Sequence, residues 1–111
     1  MKLTMKKWGT ELIIADTPEY RGKILTINPG KSIHLQYHEK KDETMYILEG
    51  MGYIALMDKT YGTFVRANPG ETYHIKPKTE HKVWAIKNSK LKIFEVSNGV
   101  QDSDIHHLEA E

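Results

Sequence analysis

Four side chains in this sequence have the types and the spacing to hold one metal ion. Gln36, His38 and Glu43 fall in the pattern Gly-x5-Gln-x-His-x4-Glu-x6-Gly between Gly30 and Gly50, and His81 follows in Ile75-Lys76-Pro77-Lys78-Thr79-Glu80-His81. Together they offer two imidazole nitrogens and two oxygens. Such a set suits one divalent ion of Zn, Mn, Fe, Co or Ni and does not choose among them. The amide of Gln36 is a weak neutral ligand. The site would therefore carry one formal negative charge and keep positions open for water or substrate, as reactive sites do and closed structural sites do not.

Such a site needs strands to position it. Gln36 and His38 are two apart, which in a strand puts both on one face. Glu43 lies across a short polar turn, so the next strand can return it alongside. The rest of the chain agrees, because its dominant period is two. Runs rich in β-branched and aromatic residues predict strands near Glu11–Ala15, Lys23–Asn28, Ser32–His38, Thr44–Glu49, Gly52–Asp58, Thr63–Ala67, Glu71–Ile75, Lys82–Lys87 and Leu91–Ser97. Asn28-Pro29-Gly30, Glu49-Gly50-Met51-Gly52, Tyr61-Gly62, Asn68-Pro69-Gly70 and Asn88-Ser89 supply the turns between them. Only the polar tail Ser103–Glu111 leaves room for a helix. Asn28-Pro29-Gly30-x3-His34 recurs as Asn68-Pro69-Gly70-x3-His74, a weak repeat that two Greek keys would produce.

Composition removes several function classes. The 111 residues make one domain, and the net charge of +1 provides no bulk field for nucleic acid or an anionic membrane. No apolar run approaches the roughly 20 residues of a membrane helix. The basic start Met1-Lys2-Leu3-Thr4-Met5-Lys6-Lys7 lacks the apolar core of a signal peptide. The absence of cysteine excludes disulfides, thiolate metal sites and thiol nucleophiles. A cytoplasmic protein is expected. Several strands are apolar on both faces, such as Met45, Tyr46, Ile47 and Leu48, and need cover from a second sheet or a second subunit. A homodimer is expected.

The motif residues carry a family likeness. From Gly30 to Gly50 the chain resembles the first motif of the cupins, with Gln36 where the first His usually stands; Gly70 and His81 match the spacing of the second. Within the cupins it looks most like the mannose-6-phosphate isomerase branch. Trp8-Gly9-Thr10-Glu11, Gln36-Tyr37-His38 and Asp102-Ser103-Asp104-Ile105 with Leu108-Glu109 carry that similarity. The chain has Thr44 and Lys82 where that branch usually has His and Arg. The resemblance implies an all-β, single-domain jelly-roll β-barrel (a double-stranded β-helix) over residues 1–111, with an N-terminal arm at 1–22 and a polar tail at 98–111. It also implies a metal held by Gln36, His38, Glu43 and His81, and a small sugar or sugar phosphate as ligand.

Around these ligands the sequence offers further groups. If Gln36 and His38 face a cavity, strand alternation puts His34 there too, as a proton carrier or a hydrogen-bonded lining residue. Lys82 follows His81 and is the second catalytic candidate, although alternation turns it away; Glu80 is a third. Lys40, Lys41, Lys76, Lys78 and Arg66 read mainly as solvated charge, and so do His106 and His107. Most aromatics read as core, with Tyr53 and Tyr73 open to either role. Three functions compete. The first is a sugar (phosphate) isomerase working through a metal-stabilised enediolate. The second is an Fe- or Mn-dependent oxidoreductase of dioxygenase type. The third is a non-catalytic sugar-binding module.

Overall fold

The computed structural model describes residues 1–57 and 62–109. The chain forms β1 (Lys2–Lys6), β2 (Gly9–Asp16), β3 (Tyr20–Ile27), β4 (Ser32–His38), β5 (Glu43–Gly50), β6 (Gly52–Met57), β7 (Gly62–Ala67), β8 (Thr72–Ile75), β9 (Glu80–Ala85), β10 (Leu91–Asn98) and β11 (Ile105–His107). These build two antiparallel sheets, in the orders β1-β2-β3-β10-β5-β8 and β11-β4-β9-β6-β7. The expected all-β jelly roll is the architecture observed, with no α-helix among the described residues.

Period-two patterning builds the core between the sheets. In β3, β5 and β10 the inward positions are Leu25 and Ile27, Met45 and Ile47, and Leu91 and Ile93. Register aligns Leu25, Ile93 and Ile47 in one row across the first sheet. Ile33, Ile54, Ala67, Val83 and Ala85 face them from the second. Burying each large aliphatic side chain contributes about 1.5–3 kcal/mol.

Both Asn-Pro-Gly segments close as turns. Lys31 N–H donates to Asn28 O at 3.0 Å and Glu71 N–H to Asn68 O at 3.1 Å, with Gly30 and Gly70 at φ +75° and +89°. These are conformations that glycine adopts without steric cost.

Three features differ from the sequence reading. The segment 1–22 contains β1, β2 and the start of β3, all hydrogen-bonded into the six-stranded sheet. β1 escaped notice because its apolar side chains are not buried: Leu3 is 61% and Met5 74% exposed. The tail is not helical; Asp102–Asp104 make one 3-10 turn and β11 then pairs with β4. Finally, β4 does not alternate throughout. Ile33 pairs with Val83 and Gln36 with His81, so β4 carries one extra residue, a β-bulge. The strand end at Asp58, the turn residue Tyr61 and the tail residues Ala110 and Glu111 lie outside the described residues.

Candidate metal centre

The ends of β4, β5 and β9 converge inside the barrel. His38 Nε2 lies 3.9 Å and His81 Nε2 3.3 Å from Glu43 Oε1. One ligand atom from each of His38, Glu43 and His81 lies within 4.8 Å of the other two. Gln36, buried like them, lines one cavity with His38 and Glu43 and is the cross-strand partner of His81. The bulge makes this possible: it brings Ile33, Gln36 and His38 together on the inner face and leaves His34 and Leu35 only half-buried.

Several features prepare these groups to bind a cation. His81 Nδ1–H donates to the Thr79 carbonyl at 3.0 Å, which leaves the Nε2 lone pair aimed at Glu43. His81 Nε2 and both carboxylate oxygens of Glu43 are buried without a hydrogen-bond partner. Buried polar atoms are rarely left so, because an unsatisfied buried group costs about 1–3 kcal/mol. A divalent ion at their convergence would satisfy all three. Burial pulls the His38 imidazole down to about 4, helped by Lys41 and His81, and burial also lowers His81. Both rings are therefore neutral at neutral pH, the form that coordinates metal.

A buried charge array supports the centre. Lys41 Nζ sits 3.5 Å from Glu43 Oε2 and 3.2 Å from Glu95 Oε1. At 3.5 Å it offers Glu43 charge rather than a well-formed hydrogen bond. Lys23, facing Glu95 across β3 and β10, pairs with Glu11 at 3.5 Å. Burial and the neighbouring Glu95 push the Glu43 carboxyl up. Burial pulls Glu95 the same way, but Glu43, Lys41 and Lys23 overcome it and hold Glu95 at about 2. Glu95 has two ammonium groups for company and Glu43 one, so Glu95 is the carboxyl that keeps its charge. All of these groups line one cavity of ≈ 190 Å³, together with Lys6, Trp8, Leu25, Met45 and His107.

The other expected site residues go elsewhere. His34 lines a separate groove with Lys7, Gly30, Lys31 and Ser32. Its predicted place beside Gln36 and His38 is corrected by the bulge, which breaks the alternation that prediction used. Lys82 pairs with Glu109 at 3.1 Å and does not line the cavity. Of the basic residues near the motif loops, Lys41 alone lines it. His106 stacks on Tyr37, with ring centroids 4.7 Å apart, while exposed His107 reaches the cavity rim. Tyr53 stacks with Phe64 away from the cavity, and Tyr73 O–H donates to Glu71 at 2.8 Å. Lys23, Lys41 and Glu95 were missed as site residues, yet a signal existed. Each interrupts an inward apolar series at period two: Lys23-x-Leu25-x-Ile27, Lys41-x-Glu43-x-Met45, and Leu91-x-Ile93-x-Glu95.

Residues 23–97 match the cupin domain family Cupin_2. The chain is a cupin. A protein of Methanocaldococcus jannaschii called uncharacterized protein MJ1618 is 38% identical over 65 residues, 59% of this cupin and 49% of the relative. The chain thus spans about half the length of that relative. KdgF from Halomonas sp. has 18% identity and a TM-score of 0.79 over 93% of this chain and 90% of its own. Bacillus subtilis oxalate decarboxylase, which has Mn(II) centers, has 16% identity and a TM-score of 0.82 over 97% of this chain and 30% of its own. At such identities the likeness shows a shared fold. A histidine–glutamate cluster in a cupin barrel is consistent with a divalent metal, and the Mn(II) centers are found in that same fold.

Proposed function

We propose that this cupin holds one divalent metal through Gln36, His38, Glu43 and His81 and binds, or acts on, a small carbohydrate there. The observation that carries the reading is the convergence of Glu43 and His81 atoms that lack a hydrogen-bond partner, together with His38, beside a polar cavity that Gln36, His38 and Glu43 line. When bound, the metal would supply a Lewis acid for vicinal ligand oxygens. The chain's own residues do the rest. Thr79 fixes the tautomer and aim of His81. Lys41 and Glu95 hold Glu43 in place from behind. Trp8, Leu25, Ile33 and Met45 form apolar wall that limits water. Isomerisation of a sugar or sugar phosphate would also need a proton carrier. The groups placed to serve are those in the cavity, among them Glu11, Glu95 and His107, rather than His34 or Lys82.

A cavity lined by three lysines and three glutamates favours an oxygen-rich ligand over an aromatic one. That weighs for the carbohydrate reading against the oxidoreductase. The test is elemental analysis of untagged protein, then thermal-shift and turnover screens of the metal-loaded chain against sugars, sugar phosphates, and aromatic or 2-oxo acids. Stabilisation by sugars supports the reading, since a ligand of the folded state raises stability by mass action. Stabilisation by aromatic or 2-oxo acids alone transfers the assignment to the oxidoreductase. A cytoplasmic homodimer is part of the same proposal.

A further inference from the structure

We propose that β11 is the gate of the metal cavity, and that His107 on its inner face sets what passes to the ligand atoms. The inference rests on the metal-centre reading above and says how that centre is reached. Burial creates the need for a gate: side-chain exposure is 1% for Glu43 and His81 and 7% for His38. Of the residues that line the cavity, only Lys6, Glu11, Ile105 and His107 are not buried. The mouth therefore lies between the β1–β2 hairpin and β11. β1 and β11 are edge strands of the two different sheets.

Of these two walls, β11 is the one built to move. The hairpin turn is fixed by buried Trp8, whose carbonyl accepts from Asn28 N–H at 2.8 Å. It is also packed so closely on β3 that a Cβ on Gly9 would collide with the Thr26 carbonyl. β11 has only Ile105 half-buried, both its histidines are exposed, and it pairs with the edge of β4. Register sets Ile105 against His38 and His107 against Gln36, so both side chains share the inner face with two of the proposed ligands. His106, between them, points outward and stacks on Tyr37. A carboxylate ties the segment at each end. Asp104 accepts from the Lys40 and Lys41 N–H groups, while Glu109 accepts from Leu35 N–H at 2.9 Å and pairs with Lys82 at 3.1 Å. Lifting β11 returns one strand edge to water; moving β4 or β9 instead would split a sheet in its middle. Segments with little buried apolar surface open locally at low cost.

The experiment locks β11 shut. Tyr37 and His106 are cross-strand partners outside the cavity, and the chain has no cysteine. Opposed antiparallel residues lie about 4.5–5.5 Å apart at Cα, within the span of a disulfide. Tyr37→Cys with His106→Cys thus gives a full-length chain whose gate is free when reduced and shut when oxidised. The probe is Mn(II), which thiols hold poorly, and its release to excess chelator is followed by electron paramagnetic resonance. A step through a transient opening scales with the open population, so oxidation should slow release roughly tenfold or more. Adding His107→Ala to the oxidised chain should restore release severalfold, because it clears the mouth without freeing the strand. In the otherwise unaltered chain, Glu109→Ala at its exposed position should speed loading and release together and leave Mn(II) affinity unchanged. Equal release from oxidised and reduced protein overturns the gate. A locked chain indifferent to His107→Ala overturns the role of His107. Hydrogen exchange tests the gate without metal: Leu108 N–H, bonded to Leu35 O at 2.9 Å, should exchange through a local opening, well before the amides of β10. Exchange of Leu108 only by global unfolding overturns the gate whatever the metal does. If the unaltered chain takes up no divalent metal while Leu108 opens locally, the metal-centre reading falls and the gate stands.

Discussion

His81 concentrates the metal hypothesis in one side chain, because its Nδ1–H is held by Thr79 and its Nε2 has no partner but the site. His81→Ala is expected to abolish stoichiometric metal binding; full occupancy by elemental analysis would remove His81 from the ligand set. Acid provides an independent check. The folded His38 ring titrates at about 4 against an ordinary 6.5, so the folded state binds its proton less readily than the unfolded chain. Its contribution to stability is therefore complete above pH 6.5 and is lost as pH falls toward 4. Metal-free protein should lose melting temperature across that window, and His38→Gln should flatten the loss. Bound metal should survive at pH 6 and leave nearer pH 4. The four proposed ligands could be named from the sequence because motif spacing alone marks them. Lys23, Lys41 and Glu95 were less so. Their sequence neighbours are ordinary, and only knowledge of which strand faces turn inward shows that they share one cavity.

Strands, rather than single residues, decide which side chains meet. The bulge in β4 is worth one residue of register, and that is enough to separate His34 from Gln36 and His38. No composition signal marks such an insertion, since it arises from how β9 pairs and not from β4 itself. β11 is another element the sequence hid: three residues, two of them histidines, gain strand geometry only from pairing with β4. Its approach matters to the site. Asp104, just before it, accepts from Lys40 N–H at 2.9 Å and Lys41 N–H at 3.1 Å, fixing the loop that carries Lys41 behind Glu43. Asp104→Ala should loosen the loop that carries Lys41 and weaken metal affinity, by less than the roughly 10–100-fold that follows loss of a group bonded directly to a metal ligand. Titration of the apo protein with Zn or Mn would measure it, and unchanged affinity would detach this turn from the centre. Gly50 tests the fold in isolation from the site. Its φ is +98° and a Cβ there would collide with the Lys90 carbonyl. Gly50→Ala is expected to cost about 1–3 kcal/mol in denaturant unfolding.

At the scale of the whole molecule, the inner faces are filled and the outer face of the six-stranded sheet is not polar. Register places Leu3, Leu12, Ile24, Phe94 and Tyr46 in one row across β1, β2, β3, β10 and β5. Val96, Ile14 and Leu48 flank that row and are 43%, 40% and 39% exposed. The sequence already showed β5 to be apolar on both sides. The structure adds that one side meets the core while the other is left uncovered by the described residues. A sheet face of this kind packs well against a copy of itself, since two twisted sheets stack about 10 Å apart with interdigitated side chains. The isologous arrangement also joins each row to its own image without a second surface having to evolve. Light scattering at micromolar concentration should therefore give the mass of a dimer or a larger closed oligomer. Phe94→Lys, at the middle of the row and pointing away from the metal cavity, should shift that mass to the monomer while leaving metal stoichiometry unchanged. A monomeric unaltered chain would refute the dimer. A dimer indifferent to Phe94→Lys would move the interface to another face, such as the Tyr53, Phe64 and Trp84 cluster on the five-stranded sheet.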